Sequence, residues 1–327
     1  MSGIGRARQL WSTITRRYSI YLVLIALIAL SSFINANFFS GENISNVTRQ
    51  ISVTTILAFG ETILIICGLL DLSSGSVLAL AGLLSVACYK ETGSMPMAFA
   101  VAIAVAVACN LVSALMVAKF AAPSFIATLA MQEMARGSAL LFTKGQNIYQ
   151  IGDYTILGQG SLGFIPIPVI FLVGLFIVTW YILKHTRFGR SLYAIGGNQE
   201  AAKASGINVN SSKVMAFAVN GVLVGIAGVL FMSRVNAGLP NGAINYEFQG
   251  LTSSIIGGTS FSGGVGTAGG TVVGAFIVGF LNNIMNLANV NSYMQQIARG
   301  GIIALAVIYD IWTKNRRTKI LVREVSK

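Results

Sequence analysis

Long apolar runs, each about the length of a membrane-crossing helix, recur from Tyr18 nearly to Trp312. A hydrocarbon core about 30 Å thick takes roughly 20 helical residues to cross. Lipid offers no partner to a backbone N–H or C=O, so a spanning segment must be a helix or part of a closed barrel. Transmembrane strands alternate apolar and polar residues, whereas these runs are continuous, which selects helices. Composition agrees, since 54% of the 327 residues are hydrophobic and only 10% are charged, against about 25% charged in an ordinary soluble domain. The expected fold is all-α and polytopic, one transmembrane domain over 1–327.

Spans are expected near 18–36, 47–67, 75–89, 96–118, 123–142, 166–183, 213–234, 251–262, 266–288 and 292–311. The basic start followed by apolar Ile20–Leu30 imitates a secretory signal, but the spans that follow favour an uncleaved first helix. The net charge of +12 is explained by where Lys and Arg cluster: Arg6, Arg8, Arg16 and Arg17; the stretch Lys184–Lys213; and Lys314 to Lys327. A nucleic-acid partner would need a basic face on a soluble module, which is not found here. By the positive-inside rule the three clusters are cytoplasmic. That places the tail 1–17, the loop 184–212 and the tail 313–327 on one side, and an even number of crossings satisfies all three. The protein is expected in a bacterial cytoplasmic (inner) membrane with both termini inside.

Segments 75–89 and 251–262 are short and flanked by glycine, so both are candidates for broken or re-entrant helices. The connection from Thr143 to Pro166 is expected to be an irregular outer loop. Setting Gly68–Gly75 against Gly257–Gly264 aligns Gly68 with Gly257, Ser73 with Ser262 and Gly75 with Gly264. Interrupted segments at matching places in two halves point to a translocation pathway; chance, or small residues for close helix packing, gives the same pattern. Asp71, Ser73 and Gly75 are therefore pathway candidates.

The stretch Gly196–Val209 reads as a short helix outside the membrane. Asn198 is a helix cap, Glu200 sits in the favoured first turn, and Gly206 is a natural terminator. A plain connector needs only a few residues, so an ordered helix here suggests a docking surface rather than a solvated basic loop. Leu192–Val209 closely resembles the coupling segment of the ribose-type sugar permease family of ATP-binding-cassette importers. The likeness extends through Asn37–Phe39, Gly68–Ser76, Phe125–Leu129, His185–Arg190, Ile256–Ser260 and Phe280–Asn283; at Gly68-Leu-Leu-Asp71 the family commonly has Gly-Gly-Ile-Asp. The resemblance implies an importer of two permease chains, alike or different, two cassette ATPase subunits and an external sugar-binding protein. On it, Asn198, Glu200, Ala201, Ala202 and Gly206 form the ATPase-coupling site.

The remaining residues fit a subunit that does no bond chemistry of its own. No Lys follows a Gly, so the phosphate-cradling Gly-Lys-Ser/Thr is absent. Gly263-Gly-Val-Gly266 lacks a preceding strand and reads as a helix break. Cys67, Cys88 and Cys109 fall in apolar runs without the paired spacing of metal or redox sites, and read as small buried hydrophobes. No catalytic residue, metal or cofactor is expected. Charges inside the hydrocarbon cost at least about 2.5 kcal/mol each, which singles out Glu61, Asp71, Glu133, Arg136 and Arg299. Glu133 and Arg136, three apart, could neutralise each other. Asn282, Asn286 and Asn289 share a helix face, with Asn283 adjacent; such amides contact sugar hydroxyls in passing or glue helices together. His185 reads as a helix-end residue. The alternative function is a secondary sugar carrier or channel, which would have no use for a docking helix.

Overall fold

The computed structural model describes residues 20–305 and 307–308. The expected tails 1–17 and 313–327, with their basic clusters, lie outside the described residues, as do the extreme ends of the first and last expected spans. The helices in order are α1 Ile20–Ile34; α2 Gly41–Ile66, α3 Ser74–Thr92, α4 Met95–Lys119, α5 Ser124–Thr143, α6 Ile156–Gln159, α7 Ile167–His185, α8 Arg187–Gly197, α9 Gln199–Ala204, α10 Val209–Val235, α11 Tyr246–Ile256 and α12 Ala268–Leu287; and α13 over 292–305. Of these, α2, α4, α7, α10 and α12 are long and apolar enough to cross a bilayer.

Helix starts follow local chemistry. The side chains of Ser40, Ser94, Thr186, Asn208 and Thr267 each accept a hydrogen bond from an amide in the first turn of α2, α4, α8, α10 and α12, satisfying donors that the helix itself leaves free. The stretch Ile51 to Ile66 of α2 is buried on every side, so the helix sits in the middle, packed by α7, α10, α11 and α12. Against α4, α10 presents Gly221 and Gly225; an added Cβ on them would come within 2.7 and 2.8 Å of the Val107 and Ile103 Cα atoms. The two helices thus meet backbone to backbone, the small-residue packing that serves where lipid removes the hydrophobic drive between helices. Outward faces are apolar, as with Ile170, Val173, Ile177 and Val178 on α7, which suits lipid rather than water as solvent.

The third expected segment is longer than read: α3 has 19 residues. The eighth is shorter: α11 has 11 residues and stops at Ile256, about 16 Å of helix. The Thr143–Pro166 connection is more ordered than expected. It contains a 3-10 turn over Gly152–Thr155, the single turn α6 and a two-residue hairpin pairing Ser161–Leu162 with Ile165–Pro166. Its anchor is Tyr154, fully buried, whose hydroxyl lies 2.9 Å from Ser85 Oγ and whose carbonyl accepts from Ser233 Oγ at 2.5 Å.

Candidate functional site

Both interrupted segments end in the same backbone device. At the end of α2, Gly68 has φ +79, its N–H donates to Ile65 O, and the Leu69 N–H reaches back to Leu64 O, each at 2.9 Å. At the end of α11, Gly258 has φ +89, with Gly258 N–H to Ile255 O at 2.9 Å and Thr259 N–H to Ser254 O at 3.0 Å. This is the Schellman turn, which needs a left-handed residue and hence glycine. The structural counterpart of Gly68 is Gly258 rather than Gly257, so the repeat read from sequence is displaced by one residue. It does not extend to the next helix: Ser73 and Gly75 stand at the start of α3, whereas Ser262 and Gly264 lie in the loop before Thr267 caps α12.

The unwound stretch after Gly68 is satisfied by side chains. Leu70 N–H donates to Ser124 Oγ at 3.0 Å and Leu72 N–H to Thr128 Oγ1 at 3.1 Å, both from α5. Asp71 is fully buried; one carboxylate oxygen accepts from Ser73 N–H (2.7 Å) and Ser73 Oγ (2.5 Å), the other from Asn220 Nδ2 (2.7 Å) and Ser74 Oγ (3.0 Å). Glu61, also fully buried, takes Ser74 Oγ at 2.5 Å, and one hydroxyl proton serves only one of the two carboxyls at a time. Asn220 passes the network to Asn110 at 2.9 Å. Glu247, 4% exposed, lies on Gly75, where a Cβ would overlap its carboxylate. Glu61, Asp71 and Glu247 thus gather at the N-terminus of α3, where the helix dipole favours negative charge. A second knot, Thr62 with Ser254 (2.9 Å) and Thr271 (2.6 Å), ties α2 to α11 and α12.

The α8–α9 segment carries the expected short helix and one not expected. Asn198 Oδ1 accepts from Ala201 N–H at 3.0 Å, and α9 closes in a third Schellman turn at Gly206, φ +83, with Ile207 N–H on Ala202 O at 3.1 Å. Glu200, Ala201, Lys203 and Ala204 are exposed, but Ala202 is only 4% exposed and faces the body of the protein. Ahead of α9, α8 is amphipathic, burying Leu192 and Ile195. Its Gly196 sits at the meeting of both breaks. An added Cβ there would overlap Ile66 O at the end of α2, and the same carbonyl accepts from Gly264 N–H at 2.9 Å. Tyr193 of α8 donates to Gly266 O at 2.8 Å.

At the other end of the 26-residue α2, about seven helical turns away at most, a polar cleft of about 490 Å³ is lined by Asn43, Asn46, Arg49 and Gln50 of α2, Arg234 of α10, and Asn283 and Asn286 of α12. Asn43 and Asn283 pair their amides reciprocally at 2.8 and 3.2 Å. Asn282 faces elsewhere, into a small apolar cavity with Gln249 and Arg299, and Asn289 lies past the end of α12 with φ +53, off the helix face assigned to it. Arg136 directs its guanidinium to Pro240 O and Gly242 O at 2.7 and 2.8 Å. His185, at the end of α7, packs on Trp180 and Tyr181. The three cysteines are free thiols, Cys67 fully inside.

The pathway candidates therefore divide. Asp71, Ser73 and Gly75 belong to the buried hinge, while Asn283 and Asn286 line the cleft. Glu247, Arg49 and Arg234 were missed although a charge at the edge of an apolar run was the signal to follow; the tight fit of Gly196 has no such signal, because its partner carbonyl is 130 residues away in sequence.

The fold and these sites define a multi-pass, all-α membrane protein of the permease class. The chain belongs to the family described as branched-chain amino acid transport system / permease component, whose model matches residues 43–307. It is 40% identical to the ribose import permease protein RbsC of Haemophilus influenzae, over 89% of this chain and 91% of the relative. It is also 33% identical to the xylose transport system permease protein XylH of the same organism, over 91% and 97%, and 32% identical to the L-arabinose ABC transporter permease protein AraH of Azospirillum brasilense, over 96% and 93%. No solved structure gives a significant match.

Proposed function

We propose that this chain is the membrane-spanning subunit of an ATP-driven, binding-protein-dependent importer that carries a monosaccharide, a pentose before others, into the cytoplasm. The family assignment and the pentose permeases among its relatives support the class. The observation that carries the mechanism is the contact of α8 with both helix breaks through Gly196. In this reading α9 is the cytoplasmic docking helix, and Asn198 and Gly206 hold its two ends while Glu200 and Ala201 meet a cassette ATPase. Ala202 supports the helix from beneath. ATP-driven closure of the cassettes moves α9 and α8, and α8 bears on the end of α2 and on the loop that follows α11. Two permease chains then rock between outward and inward openings. The chain makes ten crossings with both termini inside, α11 entering only part of the membrane depth and the segment after it completing the passage.

Proteoliposomes holding this permease, its cassette ATPase and sugar-loaded binding protein test the reading. ATP-dependent uptake of labelled D-ribose, D-xylose or L-arabinose is expected. Uptake that needs neither ATPase nor binding protein would establish the secondary-carrier alternative instead.

A further inference from the structure

The polar cleft at the N-terminal end of α2 has a composition that helix packing does not require. Two guanidinium groups, Arg49 and Arg234, enter it, and no Asp or Glu lines it among the described residues. Each makes one bond to a neutral hydroxyl, Arg49 Nη2 to Ser161 at 3.1 Å and Arg234 Nη2 to Tyr246 at 3.3 Å. The Nε atom of each is buried without a partner. A buried donor left unmade is costly, and a guanidinium presents its donors as a flat fork suited to two neighbouring oxygens. Asn46 and Gln50 add amides, which donate and accept, and Asn286, whose Oδ1 already accepts from Gln295 Nε2 at 2.9 Å, adds an N–H donor.

That mixture selects among ligands. A cation is repelled. An anion would use the guanidinium and amide N–H donors but leave the acceptor oxygens of Asn46 and Gln50 without a donor. A polyhydroxylated neutral molecule, each hydroxyl of which donates one bond and accepts others, uses both kinds of group. The volume of about 490 Å³ lies within the roughly 300–1,000 Å³ usual for small-ligand sites. The reciprocal Asn43–Asn283 pair fixes α2 to α12 and forms the wall.

We infer that this cleft is a monosaccharide-binding site at the outer mouth of the permease, in which Arg49 and Arg234 donate to sugar hydroxyl oxygens and Asn46, Gln50 and Asn286 complete the set. The inference rests on the importer reading for its orientation and substrate class. Sugar released by the binding protein is caught here before the path opens.

The test uses the complete reconstituted importer and, separately, the permease in nanodiscs with Cys67, Cys88 and Cys109 replaced by Ala and with Gln159→Cys, an exposed cleft-lining position outside the proposed set, introduced. Arg49→Gln and Arg234→Gln should each lower pentose uptake about tenfold or more, while stimulation of ATP hydrolysis by loaded binding protein stays at the parental level. The transported pentose should slow thiol labelling at position 159, and Arg49→Gln should remove that protection. Protection by ribose 5-phosphate or inorganic phosphate but not by the pentose would overturn the neutral-sugar assignment in favour of an anion site. Loss of binding-protein stimulation in either arginine variant would overturn it in favour of a docking contact. Normal uptake in both variants, with the parent transporting a pentose, would remove the site and leave the importer reading standing. Absence of uptake of all three pentoses by the parent would remove both.

Discussion

Gly196 of α8 and Ile66 at the end of α2 meet through their backbones, the Ile66 carbonyl oxygen occupying the space a Cβ on Gly196 would need. Overpacking at such a contact typically costs about 1–3 kcal/mol because the backbone must shift. Gly196→Ala should therefore reduce uptake strongly while the ATPase still copurifies, since the exposed face of α9 is unchanged. The adjacent Gly197 has open space around an added Cβ, and Gly197→Ala should leave uptake intact. Equal uptake in the two variants would remove α8 from the coupling path.

Gly206 closes α9 at φ +83 with no heavy atom near an added Cβ, so a substitution there is penalised by backbone conformation and not by crowding within the chain. Gly206→Val should abolish uptake and lower copurification of the ATPase, while Gly206→Asn, which tolerates the left-handed region, should retain much of both. Full activity of Gly206→Val in a stably inserted protein would mean that α9 is not the coupling element.

Every bond to the Asp71 carboxylate comes from a donor: Ser73 N–H and Oγ, Ser74 Oγ and Asn220 Nδ2. Asp71→Asn turns one acceptor into a donor and leaves buried groups unmatched, at about 1–3 kcal/mol. Uptake should fall with ATPase association unchanged. If the variant instead fails to accumulate in the membrane, the network is purely structural.

Topology is open to labelling in intact cells. Asp153 lies in the exposed part of the Thr143–Pro166 connection and Ser205 at the exposed end of α9. An impermeant thiol reagent added outside should modify Asp153→Cys and leave Ser205→Cys untouched. Modification at position 205 from outside would invert or break the ten-crossing arrangement.

The class of fold was legible because a membrane imposes one local rule on every crossing segment, a run of apolar residues, and each expected span overlaps a helix. The caps at Asn198 and Gly206 were legible for a similar reason, since capping acts between residues a few positions apart. What escaped depends on long-range packing. The α8 helix runs through Gly196 and Gly197, residues that locally read as a loop, because burial of Leu192 and Ile195 and the fit against Ile66 outweigh the poor helix propensity of glycine. The order of the Thr143–Pro166 connection hangs on Tyr154 reaching Ser85 and Ser233, distant partners that composition does not reveal. Asn282, Asn286 and Asn289 were grouped by helix periodicity with Asn283 adjacent, but Asn282 lines a different cavity from Asn283 and Asn286, and Asn289 lies past the end of α12.

Ala202 turns inward while Glu200, Ala201, Lys203 and Ala204 look out, so the residue that seats α9 on the body of the protein and the residues proposed to meet a cassette ATPase are different ones. On the proposed docking role, the outward set is free to change to suit another ATPase without loosening the helix from its seat, and the seat is free to tighten without altering who docks. A permease built this way can exchange motors while keeping its own gearing.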